Sequence, residues 1–265
     1  MLAAMATSRA HETTYERQLL LTGYPGRTDG RGGLGWGTVA LLRSADRVVL
    51  VDTGGPNSQP PLLAALARHG VEPEQVTDVL LTHCHWDHIS NITLFPDARL
   101  VVPGAELDWA RRQPPGTWQL ADLHVEWLTR QVARLVEVAD GDEPVPGIVA
   151  VATPGHTPGH VAYHLGGSAG QLYAGDAVKN RAELVTGTVD MTLDETASRD
   201  SIARLHVLLA AHPDLRLVPG HDVPMRVDGG TLTLFGHAQA SIEAQLSCDG
   251  LGSETRFDLS EPTGI

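Results

Sequence analysis

Cysteine, lysine and aromatic residues are all scarce in this chain of 265 residues. The two cysteines, Cys84 and Cys248, stand far apart, which excludes a disulfide framework and fits a reducing compartment. Basic residues number 19 against 32 acidic ones, a formal net charge of -13. That charge repels phosphate backbones and anionic lipid, so nucleic acid and membrane surfaces are poor partners and a small molecule is the better expectation. No run approaches the roughly 18 apolar residues needed to cross a bilayer. The amino-terminal MLAAMATSRAHETTYERQ has no apolar stretch leading to a cleavage site. Together these absences predict a cytoplasmic protein. Lys179 is the sole lysine, an imbalance towards arginine that reads as genomic bias rather than function. With 42% hydrophobic and 19% charged residues the chain can bury a full core, which excludes disorder.

Short apolar runs punctuated by Gly and Pro fill the space left by these exclusions. Residues 16–21, 38–43 and 47–52 read as strands, the last two joined by a hairpin-like Ser44-Ala45-Asp46. Leu62, Leu63, Leu66 and Ala67 recur at helical spacing, with Gly70 ending the helix. Residues 76–82 form an apolar run too short for a helix, hence a buried strand. Strands follow at 100–102, 134–138, 148–152, 161–165, 172–174 and 215–218, with a helix at 198–211 that places Ile202, Leu205, Leu208 and Leu209 on one face. No repeat of 20–50 residues is evident. The expected organisation is one domain over 1–265, with a core at about 16–225, a candidate lid at 104–131 and an extension at 229–265.

What recurs is a strand, a loop and then a residue able to bind metal. His83, Asp176 and His221 each stand just past an apolar strand, and His156 follows another through Thr153-Pro154-Gly155. Loops along one edge of a rigid sheet are where ligands converge most readily. His83-Cys84-His85-Trp86-Asp87-His88 is the strongest signal, with four such residues in six. At extended spacing the side chains of 83 and 85 point the same way and can reach one ion, and the turn that follows can offer Asp87 and His88 to another. Pro154-Gly155-His156, Gly175-Asp176 and Pro219-Gly220-His221 are weak signals singly, since each is an ordinary turn. Their order and spacing strengthen them jointly. His160 reads as a supporting or packing residue and Cys84 as a small buried filler. Lys179 reads as a solvated side chain, and Trp109, Trp118 and Trp127 as anchors or walls of the 104–131 segment.

In these motifs the sequence resembles the metallo-β-lactamase superfamily. The likeness lies in HxHxDH at 83–88, the PGHTxGH-like loop at 154–160, Gly175-Asp176, the final His221, and Val51-Asp52-Thr53-Gly54. It covers roughly residues 30 to 225. The stretches VDTGGP, THCHWDHISNITLFPDARLVV and GD are similar to those of small members such as the metallo-β-lactamase-domain-containing protein 1 group, and the metal motifs to those of lactonase-like hydrolases. The resemblance implies an α/β fold, a four-layer αββα sandwich. It implies that His83, His85 and His156 hold one metal, that Asp87, His88 and His221 hold a second, and that Asp176 bridges them. Asp52 would orient a ligand imidazole through its other nitrogen.

Such donors suit zinc, with iron or manganese as alternatives. A water shared by two cations would lose a proton near neutral pH and act as nucleophile. Asp87 and Asp176 are the candidate catalytic carboxylates. Flavodiiron-type members carry an acidic residue at the place of His85, so its presence favours hydrolysis over oxygen chemistry. The stretch Ala177-Val178-Lys179-Asn180 lacks the tyrosine that acyl-homoserine lactonases carry there. The expected function is dinuclear zinc-dependent hydrolysis of an acyl bond in a small molecule: ester, lactone, thioester or lactam. The alternatives are a metal-dependent phosphodiesterase or ribonuclease and an iron-dependent oxygenase. A homodimer is a family-level expectation.

Overall fold

The computed structural model describes residues 14–29, 33–167, 170–246, 248, 250 and 254–262. The first part of the amino-terminal stretch read for an export signal, residues 30–32 between the first two strands read from sequence, and parts of the 229–265 extension lie outside the described residues.

The first sheet follows chain order: β1 (Glu16–Leu21), β2 (Val39–Arg43), β3 (Val48–Val51), β4 (Asp78–Leu80), β5 (Arg99–Pro103) and β6 (Leu135–Val138). β1, β2 and β3 pair antiparallel, whereas β3 to β6 run parallel. Parallel neighbours need crossovers. These are α1 (Gln59–Arg68) after β3, the short α2 (Trp86–Ile89) after β4, and α3 (Gly104–Ala110) with α4 (Asp122–Thr129) after β5. The second sheet comprises β7 (Ile148–Ala152), β8 (Val161–Leu165), β9 (Gln171–Gly175), β10 (Arg216–Pro219), β11 (Met225–Asp228) and β12 (Thr231–Leu234), again in neighbouring order. Only β9 and β10 are parallel, and α5 (Arg181–Thr186) and α6 (Glu195–Ala211) make that crossover. A two-stranded ribbon, β13 (Ser241–Ala244) with β14 (Thr255–Asp258), completes the described chain.

Side-chain alternation assigns each strand two buried faces. Ala40, Leu42, Val49, Val51, Leu80 and Val101 of the first sheet meet Ile148, Ala150, Tyr163, Tyr173 and Val218 of the second. Their sequence neighbours Val39, Leu41, Leu50, Val79 and Leu100 face the other way, onto Leu62 and Leu66 of α1, Leu107 of α3 and Leu128 of α4. The outward residues Ala162, Leu172, Ala174 and Leu217 pack on Leu184 of α5 and on Ile202, Leu205 and Leu209 of α6. Helices, sheet, sheet and helices therefore form a four-layer αββα sandwich. Both faces of both sheets are covered, which is why the central strands read as continuous apolar runs and not as alternating ones.

Most strand boundaries read from sequence agree with the structure to within a few residues. Differences arise where elements are short or half exposed. α5 has six residues, too few to show a helical period, and Asn180 nucleates it by accepting hydrogen bonds from the Ala182 and Glu183 amides. β11 to β14 are four-residue strands, three of them set in the Gly-, Ser- and Thr-containing tail and without a fully buried face. Among the described residues, no helix is long and apolar enough to cross a membrane.

One buried charge ties the first sheet together. Asp78, at the start of β4 and fully buried, pairs with Arg47 beside β3 at 3.0 Å and with Arg99 of β5. Removing one partner of a fully buried pair costs roughly 3–5 kcal/mol. Because the Arg47 and Arg99 side chains are 30% and 39% exposed, solvent takes up part of that loss. Asp78→Asn is expected to lower unfolding free energy by about 2 kcal/mol in urea titrations. A change below about 0.5 kcal/mol would show that the pair contributes little.

Candidate metal centre

Asp52 lies one residue past β3, beside the end of parallel β4, and its backbone N–H donates to the Leu80 carbonyl at 2.9 Å. It is a non-glycine residue with φ of 57°, a left-handed conformation that persists only when surrounding bonds hold it. Three such bonds converge on its carboxylate. Oδ1 accepts from the Thr82 amide at 2.8 Å, and Oδ2 accepts from the Thr82 hydroxyl and from His88 Nδ1, both at 2.8 Å. The strained turn thus fixes the chain where the HCHWDH segment begins.

Those bonds decide which imidazole nitrogens remain free. The Thr82 hydroxyl has given its hydrogen to Asp52, so its oxygen accepts from His83 Nδ1 at 3.0 Å and leaves Nε2 with a bare lone pair. His88 Nδ1 is likewise occupied by Asp52, freeing its Nε2. His160 behaves differently. Its Nε2 accepts from the Asp176 amide at 3.0 Å, so Nδ1 donates to the Thr153 hydroxyl at 2.8 Å and neither nitrogen is spare.

The free atoms meet around Asp176, which follows β9. Its Oδ1 lies 3.2 Å from His88 Nε2 and 3.2 Å from His221 Nε2, and its Oδ2 lies 3.2 Å from His156 Nε2. His221 Nε2 is 3.3 Å from Asp87 Oδ2, and His85 Nδ1 is 2.8 Å from His156 Nε2. Three overlapping sets could each hold an ion, their donor atoms mutually within 4.8 Å: His83, His85 and His156; His83, His88 and Asp176; and Asp87, His88 and His221. All seven residues predicted as ligands come together here. Gly220 makes the last approach feasible, because a Cβ on it would lie 2.1 Å from Asp176 Oδ1.

The cluster asks for positive charge. Burial depresses the pKa of His83 and His156 well below 6.5 and brings His85 to about 4 and His160 to about 3. Burial also opposes charge on His88 and His221, but Asp176, Asp52 and Asp87 around His88, and Asp176 and Asp87 beside His221, override it and hold both rings above 6.5. Burial pushes the Asp176 carboxyl up, yet His221, His88 and His156 outweigh it and hold the group well below its usual value. Without a metal, protons on His88 and His221 supply the cations that the carboxylates require. His83 Nε2, His88 Nε2 and Asp176 Oδ1 are buried without hydrogen-bond partners, an arrangement that coordination to a divalent metal would satisfy. Borderline nitrogen and carboxylate donors of this kind fit such a cation.

A cavity of about 280 Å³ opens over the cluster, and Asp87, His85, Trp86, Trp118, Gln119 and Met191 are among its walls. The 104–131 segment reaches the ligand loop directly, since Trp86 N–H donates to the Gln119 carbonyl at 3.0 Å. Trp109 and Trp127 pack against the helical layer, whereas Trp118 faces the cavity and is 66% exposed. Lys179, expected to be solvated, is held in the wall with Nζ 2.8 Å from Glu183 Oε1. Cys84 is fully buried, as its reading as a filler implied. Sequence reasoning missed Glu106. It lies in the first turn of α3, far from any motif, yet its carboxylate accepts from the Cys84 amide at 3.0 Å and the Gly159 amide at 3.2 Å. An acidic residue in a helix's first turn is too common to signal this.

Comparison with known proteins adds three kinds of likeness. The model of a family described as the metallo-beta-lactamase superfamily matches residues 32–221. A Xenopus laevis protein named metallo-beta-lactamase domain-containing protein 1 is 31% identical over 227 residues, 85% of this chain and 87% of its own length. A hydroxyacylglutathione hydrolase of Fuscovulum blasticum is 34% identical over 180 residues, 68% of this chain and 59% of its own. Among solved structures, AidC, a dizinc quorum-quenching lactonase in complex with a product, matches with a TM-score of 0.63 at 19% identity, over 75% of this chain and 78% of that one. That last likeness is one of fold.

The imidazole shifts set an acid limb for the metal-free protein. Unfolded, His83, His85, His156 and His160 take up protons near pH 6.5, whereas folded they resist to about 4 for His85 and about 3 for His160. Their contribution is therefore present above pH 6.5 and lost as pH falls. Glu106 acts oppositely, because burial pushes it up to about 7 and the folded chain protonates it first. One carboxyl against four rings leaves a net loss. His88 and His221, with raised values, contribute fully below 6.5 and lose that contribution only as pH rises through their folded values. The urea midpoint of the metal-free protein should fall between about pH 6.5 and pH 4, and a flat or rising midpoint there would contradict the neutral rings.

Proposed function

The chain belongs to the metallo-beta-lactamase superfamily and is a metal-dependent hydrolase, and from that premise we propose that it uses two zinc ions to cleave an acyl bond in a small molecule. One observation carries the reading: the two oxygens of Asp176 face different histidines, Oδ1 towards His88 and His221 and Oδ2 towards His156. His83, His85 and His156 would hold one ion and Asp87, His88 and His221 the other, with Asp176 shared. When bound, zinc supplies the positive charge that lets water act as a nucleophile near neutral pH and that draws electron density from an acyl carbonyl.

The chain's own residues do the rest. Asp52 holds His88 with Nε2 facing the centre, and His160 holds the Asp176 backbone through its amide. Asp87 lines the cavity with its Oδ2 turned to His221 Nε2, and its other oxygen would take a proton and return it to the departing oxygen, sulfur or nitrogen. Trp86 and Trp118 wall a space of about 280 Å³, at the lower end of the roughly 300–1,000 Å³ usual for ligand pockets, which suits a small molecule. The name hydroxyacylglutathione hydrolase, borne by a protein similar to this one, describes cleavage of an acyl bond. The net charge of -13 disfavours a polyanionic substrate.

Metal analysis by mass spectrometry of protein purified without added metal is expected to find about two zinc ions per chain. Turnover of p-nitrophenyl esters, lactones or nitrocefin should exceed that of bis-p-nitrophenyl phosphate, and His85→Ala should abolish it. Iron alone, or no metal, with every substrate left intact would overturn the proposal. Preference for the phosphodiester would replace the acyl reading. Asp52→Ala, which frees His88 to rotate, should weaken zinc binding about 10–100-fold in competition with a chromophoric chelator, and unaltered affinity would remove Asp52 from this role.

A further inference from the structure

We propose that Glu106 is a positioning residue that sets the His83, His85 and His156 half of the centre by clasping the two loops that carry those histidines. The inference rests on the reading of the cluster as a dinuclear metal centre. Glu106 lies in the first turn of α3 and is fully buried. Among the described residues it has no ion pair, and a buried carboxylate without a cation is costly unless hydrogen bonds compensate. Its two oxygens are used separately. Oε1 accepts at 3.0 Å from the amide of Cys84, the residue between His83 and His85. Oε2 accepts at 3.2 Å from the amide of Gly159, three residues past His156. Both amides lie past strand ends, where ladder pairing has stopped and a side chain must replace it.

The contact between helix and loop leaves no slack. A Cβ on Gly159 would lie 2.0 Å from the Glu106 backbone nitrogen, so only glycine lets the 154–160 loop rest on the first turn of α3. The clasp is also one-sided. It touches neither Asp87, His88 nor His221, and His88 is anchored independently by Asp52. Glutamine at 106 would accept one of the two amides and set its own NH₂ against the other. Aspartate would retain both acceptors but retreat by one methylene and lose simultaneous reach. Loosening either loop would spread donor atoms that now converge, and metal affinity falls steeply when its ligands lose orientation.

The test compares wild type, E106Q, E106D and D78N by Zn²⁺ titration against a chromophoric chelator, by the visible absorption of the Co²⁺-substituted proteins, and by urea unfolding of the metal-free forms. D78N loses a buried carboxylate whose partners, Arg47 and Arg99, are not among the donors of the centre, and it controls for instability alone, while E106D stands in should E106Q fail to fold. Both Glu106 variants should keep one ion at wild-type affinity, bind the other about 10–100-fold more weakly, and show altered Co²⁺ bands. D78N should retain both ions and the wild-type spectrum despite its lower stability. Wild-type affinities and spectrum in the Glu106 variants, or the same one-ion loss in D78N, would overturn the clasp. A wild-type protein that binds fewer than two ions would instead defeat the dinuclear reading, and the clasp with it.

Discussion

Seven donor groups have to converge on one small space without turning away to other partners. The structure meets this constraint by tying the far side of key side chains. Asp52 takes Nδ1 of His88, and Thr82, itself bonded to Asp52, takes Nδ1 of His83. Asp176 is steadied through its own amide by His160. Once these bonds are made, the remaining lone pairs have one direction to face. The left-handed backbone of Asp52 is the local strain this arrangement carries, and it is borne by two buried sheets packed face to face.

Charge explains why the cluster is metal-seeking and not merely polar. Three carboxylates, Asp52, Asp87 and Asp176, surround His88 closely enough to keep it protonated against the effect of burial. His83, His85 and His156 have the opposite setting: burial outweighs the nearby carboxylates at His85 and His156, neighbouring imidazoles add to it at His83, and the rings stay neutral. Neutral imidazoles are ready ligands, and protonated ones beside carboxylates mark where a cation would exchange for protons. The single lysine of the chain does not supply this charge, because its ammonium is engaged by Glu183.

The tail contributes to the same edge of the sandwich. Arg181, at the start of α5, bonds Asp222 through Nε at 2.8 Å and Nη2 at 2.7 Å, and Glu261 through Nη1 at 2.6 Å. Asp222 is the neighbour of His221, so the loop carrying that imidazole is braced by a residue forty positions away and by the far end of the described chain. Tyr24, in the cavity wall, donates its hydroxyl to the Leu259 carbonyl at 2.7 Å. The extension therefore helps to frame the cavity from which it is distant in sequence.

The strands, the main helices and the seven converging residues were legible in the sequence for a physical reason. Local chain geometry limits where 83, 85, 87 and 88 can point, and buried strands must be apolar on both faces. α5 and β11 to β14 were not legible, because four to six residues without a fully buried face show no period. Nor was the burial of Lys179, which depends on Glu183 one helical turn away and on walls drawn from distant loops. By itself the sequence determined the succession of buried strands and the motifs that carry the donors, and their resemblance to a known family implied the αββα layering and the ligand set. Only the tertiary structure decided which imidazole nitrogen stays free, that the two oxygens of Asp176 face opposite sides, and that Glu106 joins two ligand loops. Those depend on hydrogen bonds across 16 to 53 residues of chain, and no local pattern encodes a partner at that distance.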